Sequence, residues 1–207
     1  MSASLLTTDD PGAPPDADVV VLFGDRAGAL GVTVERVATM ADAANIVVRV
    51  ATEVGAGDVI VAAEALAAAP GLAAVLTNHG VAVTAGGDPA ATRDAPLGVS
   101  LARGAIAETG SVLLVESTLS DRAIGMLVAT QVVLCPSGSL MATLEDAAAH
   151  LRAAAVTPGG GFATLVTGPS RTADIERVLT VGVQGPSRVI VVFVDALVAA
   201  PGDDASG

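Results

Sequence analysis

Short β-branched runs alternating with helix-patterned segments predict an α/β fold, its sheet rich in parallel strands with helices on its faces. Three observations carry that expectation. Apolar runs of strand length recur at Val32–Ala38, Asp58–Ala62, Val81–Thr84, Ser111–Val115, Gln131–Cys135, Ala163–Thr167 and Arg188–Val194. Between them lie segments with helical spacing, two of which open on a Thr-x-x-Asp capping box, Thr39 with Asp42 and Thr143 with Asp146. No repeat of fixed period is present, which argues against a solenoid. A chain of 207 residues is expected to form one domain, here placed at residues 16–199. Residues 1–15 and 200–207, rich in Pro, Gly, Ser and Asp without periodicity, read as disordered tails.

The elements follow in order. Asp18–Gly31 is ambiguous, because Val19-Val20-Val21-Leu22-Phe23 suits a buried strand while Val19, Phe23, Ala27 and Leu30 repeat at helical spacing; the helix is favoured. The first capping box opens a helix reaching about Val54, and a helix over Ala63–Ala69 ends at Pro70. Ser100 is expected to cap a short helix to about Ala107, followed by a turn at Glu108-Thr109-Gly110. The second capping box predicts a helix to about Ala155, Gly159-Gly160-Gly161 a flexible loop, and Ala173–Thr180 a further helix.

Composition excludes several function classes. A net charge of −12, with the ten basic residues all Arg and scattered, repels phosphate backbones and argues against nucleic-acid binding. Aromatic residues make up 1% with no Trp or Tyr, so no stacking platform for bases exists and the core must be built of Ala, Val, Leu and Ile. The apolar runs are broken well short of the roughly 20 residues a membrane span needs. The segment Met1–Asp18 has four Asp, three Pro and no basic or hydrophobic region like a secretory signal, so a cytoplasmic location is expected. The single Cys135 can form neither an intrachain disulfide nor the usual four-thiolate iron–sulfur ligand set, and its strand-like setting predicts a buried structural thiol. His79 and His150 lack a second His or Cys at metal-ligand spacing, so no metal site is expected. There is no Walker loop, and Gly86-Gly87 lacks the dinucleotide-binding pattern.

Gly168-Pro169-Ser170-Arg171-Thr172 follows a strand and precedes the expected helix from Ala173, where free N–H groups and the helix dipole favour an anion. Gly168 permits close backbone approach, Ser170 and Thr172 can donate or cap, and Arg171 offers a planar fork to an oxyanion. Equally, Thr172 can cap the helix with Asp174 and Glu176 as its first-turn acids and Arg171 as their partner. Glu108, between two apolar segments, suits a base, a nucleophile or a turn anchor. Gly182-Val-Gln184-Gly185-Pro186 suits a structural turn unless it lies beside the Gly168 loop in space. Arg122, expected in a loop, is either a second anion contact or a solvated surface residue.

Three motifs in order, Ala105-Ile-Ala-Glu-Thr-Gly-Ser111, Gly168-Pro-Ser-Arg-Thr-Ala-Asp-Ile-Glu176 and Gly182-Val-Gln-Gly-Pro186 before a Val-rich strand, resemble the LUD domain family of lactate utilization proteins. The resemblance is dense from about Pro96 to Asp195 and thin before it. It implies a three-layer open sheet similar to the ribose-phosphate isomerase and CoA-transferase superfamily, with the site in loops after the strands, and it supports a helix over Asp18–Leu30. It also implies an accessory role in oxidation of L-lactate to pyruvate, with iron–sulfur clusters in partner proteins and no cofactor in this chain. Gly168, Ser170, Arg171, Thr172, Gln184 and Arg122 are then candidates for binding a small anionic ligand, and Glu108 is the candidate catalytic group.

This chain departs from the family pattern. Relatives usually carry His where Gln184 stands, often His where Gln131 stands, and an acidic or amide residue where Arg103 stands. A carboxamide does not titrate near neutral pH, so if the family histidines move protons this chain cannot do so at Gln131 and Gln184, while Gln184 can still donate a hydrogen bond to the same anion. The alternative within the same superfold is a stand-alone enzyme, a CoA-transferase, isomerase or folate-ligase type acting on an anionic small molecule. There Glu108 would be nucleophile or base, and Ser170 with Arg171 the oxyanion clamp.

Overall fold

The computed structural model describes residues 16–86, 89–93, 95–116, 118–156, 162–173, 179–181 and 185–197. In chain order the first half runs α1 (Ala17–Ala29), β1 (Thr33–Val37), α2 (Met40–Val54), β2 (Asp58–Val61), α3 (Ala63–Ala68), α4 (Leu72–Asn78), β3 (Ala82–Ala85) and α5 (Pro89–Thr92). It continues with β4 (Leu97–Leu101), β5 (Gly104–Ile106), β6 (Ser111–Glu116), α6 (Leu119–Leu127), β7 (Thr130–Pro136) and β8 (Leu140–Met141). The last elements are α7 (Ala148–Val156), β9 (Phe162–Val166), β10 (Arg171–Ala173), β11 (Leu179–Val181) and β12 (Arg188–Val194).

Six strands pair in the order β1-β12-β7-β4-β2-β3, and every pairing among them is parallel. Parallel strands buried on both faces need apolar side chains on both, and β7 and β12 supply them as near-continuous Val, Ile and Leu runs. The alternation of side chains along a strand then divides these residues between two cores. Val132, Leu134, Ile190, Val192 and Val194 join the cluster that includes α2, α3 and α4. Val133, Cys135, Val189, Val191 and Phe193 join Phe23 and Ala27 of α1 with Ala105, Val112 and Leu114 of a second sheet. Phe23 meets Phe193 edge-to-face with centroids 5.0 Å apart, so two of the chain's few aromatics fasten α1 to the main sheet.

The second sheet has the order β8-β5-β6-β9, and with α1 it packs on the second of these cores. Helix α6 approaches the main sheet where Gly98 leaves room: a Cβ there would lie 2.6 Å from Ile124 Cγ2. Helix α2 is set by local chemistry at both ends. Thr39 Oγ1 accepts from the Asp42 N–H at 3.2 Å, and Gly55 closes the helix at φ 67°. Thr39→Ala is expected to cost about 1 kcal/mol, read as a lower urea midpoint with an unchanged slope.

The helical spacing of Val19, Phe23 and Ala27 prevails in α1, since Phe23 and Ala27 are its buried residues. Cys135 is fully buried, and burial raises its thiol to about 12. Other expectations are corrected. The helix from Ser100 to Ala107 is instead β4 and β5, because Leu97, Val99 and Ser100 are buried between β2 and β7. The Thr143–Asp146 box forms its hydrogen bonds, yet the α-helix begins only at Ala148. Arg122 lies in α6, whose start is capped by Thr118, and not in a loop. Ala173 and Leu179, expected at the two ends of one helix, pair across the antiparallel strands β10 and β11. Residues 1–15, 198–207 and Gly159 to Gly161 lie outside the described residues.

Candidate functional site

The three sequence motifs meet at one junction. Strands β6 and β9 are antiparallel, which places Ser111 beside Thr167, their hydroxyls 2.8 Å apart. Both turns rest on the end of α1. A Cβ on Gly110 would lie 2.6 Å from Ala27 N, one on Gly168 would lie 3.2 Å from Leu30 Cβ, and the Arg171 guanidinium donates to the Leu30 carbonyl. The Ser170 N–H donates to the Pro186 carbonyl at 2.8 Å, so the Gly185-Pro186 turn does lie beside the Gly168 loop.

Within this junction each candidate residue has a defined place. Glu108 is exposed, and its carboxylate accepts from the Leu144 N–H at 2.9 Å while its own N–H donates to Ala142 O. That is the turn-anchor arrangement. Thr172 pairs with Thr180 in the β10–β11 ladder, and Gln184 lies outside the described residues. Arg171 opens a strand, so the helix-terminus argument for an anion at this turn falls away. Arg122 stands apart on α6, its guanidinium carbon 4.9 Å from the centre of the Phe162 ring and its Nε donating to Thr118 O at 3.4 Å.

A second place has the position expected of a ligand site. From β2 the chain passes outward to β3, whereas from β4 it passes the other way to β7. Connections that diverge from neighbouring parallel strands leave a crevice at the carboxyl ends, where open α/β sheets bind ligands. Here a small crevice, part of it open to solvent, is lined by Ala62 beyond β2, Ser100 and Leu101 of β4, Val115 and Glu116 of β6, Glu64 of α3 and Asp121 of α6.

The carboxyl groups in this crevice have opposite environments. Asp121 has both oxygens engaged, Oδ1 by the Ala63 N–H at 3.1 Å and Oδ2 by the Thr118 hydroxyl at 2.8 Å. Glu116 is 8% exposed, and its Oε1 is buried with no hydrogen-bond partner. Burial, chiefly, and then the nearby Asp121 charge push its carboxyl up to about 7, against the opposing pull of Arg122. Glu64 is also raised, by burial first, with Arg103 opposing and Asp121 adding. Behind the crevice the buried Gln131 Nε2 donates to Ser100 Oγ at 3.0 Å. A raised, partnerless carboxyl at Glu116 beside the hydrogen-bonded Asp121 is a pair of the kind that general acid–base chemistry uses. Among the described residues no His, Cys, Asp or Glu set forms a metal site.

The motif reading missed Glu116, Asp121 and Glu64. One signal was present: Glu116 ends an apolar strand, Thr118-x-x-Asp121 repeats the capping-box pattern, and Glu64 follows the strand Asp58–Ala62. Nothing local shows that these three positions adjoin.

Comparison with known proteins places this architecture. A crystal structure of a DUF162 family protein from Deinococcus radiodurans has a similar fold, with a TM-score of 0.62 and 21% identity over 87% of this chain and 99% of that one. Lactate utilization protein C of Shouchella clausii is 33% identical over 104 residues, covering 49% of this chain and 44% of the relative. Lactate utilization protein C of Anoxybacillus flavithermus is 32% identical over 144 residues, covering 68% of this chain and 64% of the relative. The chain thus spans about half the length of the curated relatives it matches. Among the described residues no helix is long and apolar enough to cross a membrane. Residues 22–194 match the LUD domain, a span that takes in both the motif junction and the crevice, and the chain belongs to the LUD domain family.

Proposed function

We propose that this protein is an accessory subunit of L-lactate oxidation, binding a small anionic ligand and docking with partner proteins that carry the iron–sulfur clusters. The observation that carries the reading is the LUD domain match together with relatives named lactate utilization protein C. Exposed apolar side chains support a docking role: Leu119 and Met126 lie seven residues apart on α6, and Phe162 is exposed on β9, an edge strand. Deleting the gene is expected to abolish growth on L-lactate as sole carbon source while leaving growth on pyruvate unchanged. Affinity purification from lactate-grown cells is expected to recover proteins with iron–sulfur absorbance. Unchanged growth on L-lactate together with no such protein overturns the reading.

A stand-alone enzyme of the same superfold is favoured by one observation, the raised and partnerless Glu116 carboxyl beside the hydrogen-bonded Asp121. In that reading Glu116, and not Glu108, is the acid–base group. Turnover of a hydroxy acid or thioester by the purified chain alone would establish it.

A further inference from the structure

We propose that Glu116, Asp121 and Glu64 form a proton-operated latch between α6 and α3: while Glu116 is neutral Asp121 holds the start of α3, and ionisation of Glu116 parts the two helices. The inference is independent of the lactate reading and requires neither a ligand nor a partner.

The latch is built from three elements that meet only in space. Asp121, in the first turn of α6, accepts from the Ala63 N–H at the start of α3 at 3.1 Å. Its other oxygen accepts from the hydroxyl of Thr118, the residue that caps α6. This carboxylate thereby ties the beginning of one helix to the beginning of the other. Glu116, the last residue of β6, is 8% exposed, and its enclosed Oε1 has no hydrogen-bond partner.

A neutral carboxyl tolerates such enclosure far better than a carboxylate, because an unpaired buried charge carries a large desolvation cost. Among the described residues the charged groups acting on Glu116 are Asp121 and Arg122 of α6 and Glu64 of α3. Two of the three are acids. Arg122 opposes them, but its guanidinium lies over the Phe162 ring and its Nε donates to Thr118 O. Glu64 in turn feels Arg103, just beyond β4, which favours its charged form. Ionised Glu116 therefore faces acidic groups on both helices, and it gains hydration when those helices separate.

Proton linkage fixes the direction of the effect. The enclosed Glu116 carboxyl releases its proton at about 7, against 4.5 for a hydrated one, so opening becomes more favourable as pH rises between these values. Opening also widens the crevice, since Glu64 and Asp121 line it from α3 and α6. Access to the carboxyl ends of β2 and β4 is thus set by pH near neutrality.

The test is residue-resolved amide exchange of the full chain by NMR, with the intrinsic pH dependence of exchange divided out. The reporter is the Ala63 N–H, which exchanges only when its bond to Asp121 opens. Its opening equilibrium is expected to rise about tenfold or more between about pH 5.5 and pH 8, while the amides of β12 stay better protected at both. Glu116→Gln is expected to abolish most of that rise. Asp121→Asn keeps an oxygen for the Ala63 N–H and removes the charge beside Glu116, so its rise is expected to level off at lower pH. Should Glu116→Gln fail to fold, Asp121→Asn carries the test. A wild-type change below about twofold, the full wild-type rise in Glu116→Gln, or an unshifted one in Asp121→Asn overturns the latch. Protection at Ala63 equal to that of β12 at the higher pH overturns it too, since only global unfolding would then be sensed.

Discussion

Gly110→Ala is expected to destabilise the fold by about 3 kcal/mol or more, the sum of backbone strain and overpacking. Gly110 has φ 67°, a left-handed conformation that costs an L-residue roughly 1 to 2 kcal/mol. Its Cβ would also stand 2.6 Å from Ala27 N and 2.8 Å from Arg26 C, which are backbone atoms of α1 and cannot rotate away. Relief therefore requires α1 to move, and α1 carries Phe23 and Ala27, both fully buried in the second core. Gly55→Ala is the control. Gly55 has the same φ of 67°, yet nothing lies within 4 Å of its Cβ position, so only the strain is expected there. Urea unfolding of both variants separates the contact from the strain, and equal losses would show that α1 does not rest on Gly110. This close approach is also a physical reason for Gly in the Glu108-Thr109-Gly110 turn.

Glu116→Gln is expected to stabilise the protein at alkaline pH by on the order of 3 kcal/mol and to leave it nearly unchanged at about pH 4. In the folded chain burial raises the Glu116 carboxyl from 4.5 to about 7. Below 4.5 the group is protonated in both folded and unfolded chains and carries no penalty. Between 4.5 and about 7 the unfolded chain ionises while the folded one holds its proton, so wild-type stability declines across that window and levels off above it. Glutamine has nearly the same shape and no titration, so the difference between the two urea curves at each pH isolates Glu116 from the other carboxylates. A difference that stays flat from acid to alkaline pH would mean that Glu116 titrates as an ordinary surface acid.

The two residues mark how far local pattern reaches. Residues whose structure depends on near neighbours were legible: the Thr39 cap, the amphipathic face of α2 and the apolar runs of β2, β6, β7 and β12 all follow from spacings within a few residues. Ser100 shows where this fails. Its sequence allows a helix cap, and its strand identity comes from β2 on one side and β7 on the other, tens of residues away in the chain. Ala173 fails likewise, because its pairing with Leu179 in the β10–β11 ladder outweighs helical preference.

The candidate sites divide in the same way. The motifs around Glu108, Gly168 and Gly185 were visible as unusual residue combinations, and the structure brings them together as a packing junction on the end of α1. Glu116, Asp121 and Glu64 had no such signature, since a single acid after an apolar strand is commonplace.

Residue order alone was sufficient for the α/β class, the positions of most strands, the buried unreactive Cys135 and the family-type motifs, because each depends on composition or on short-range periodicity. The parallel strand order, the divergence of the chain at β2 and β4, and the meeting of three carboxyls there were settled by folding. The physical reason is that burial and mutual charge, which set the protonation of Glu116, are properties of what surrounds a residue in space and are carried by residues far from it in the chain.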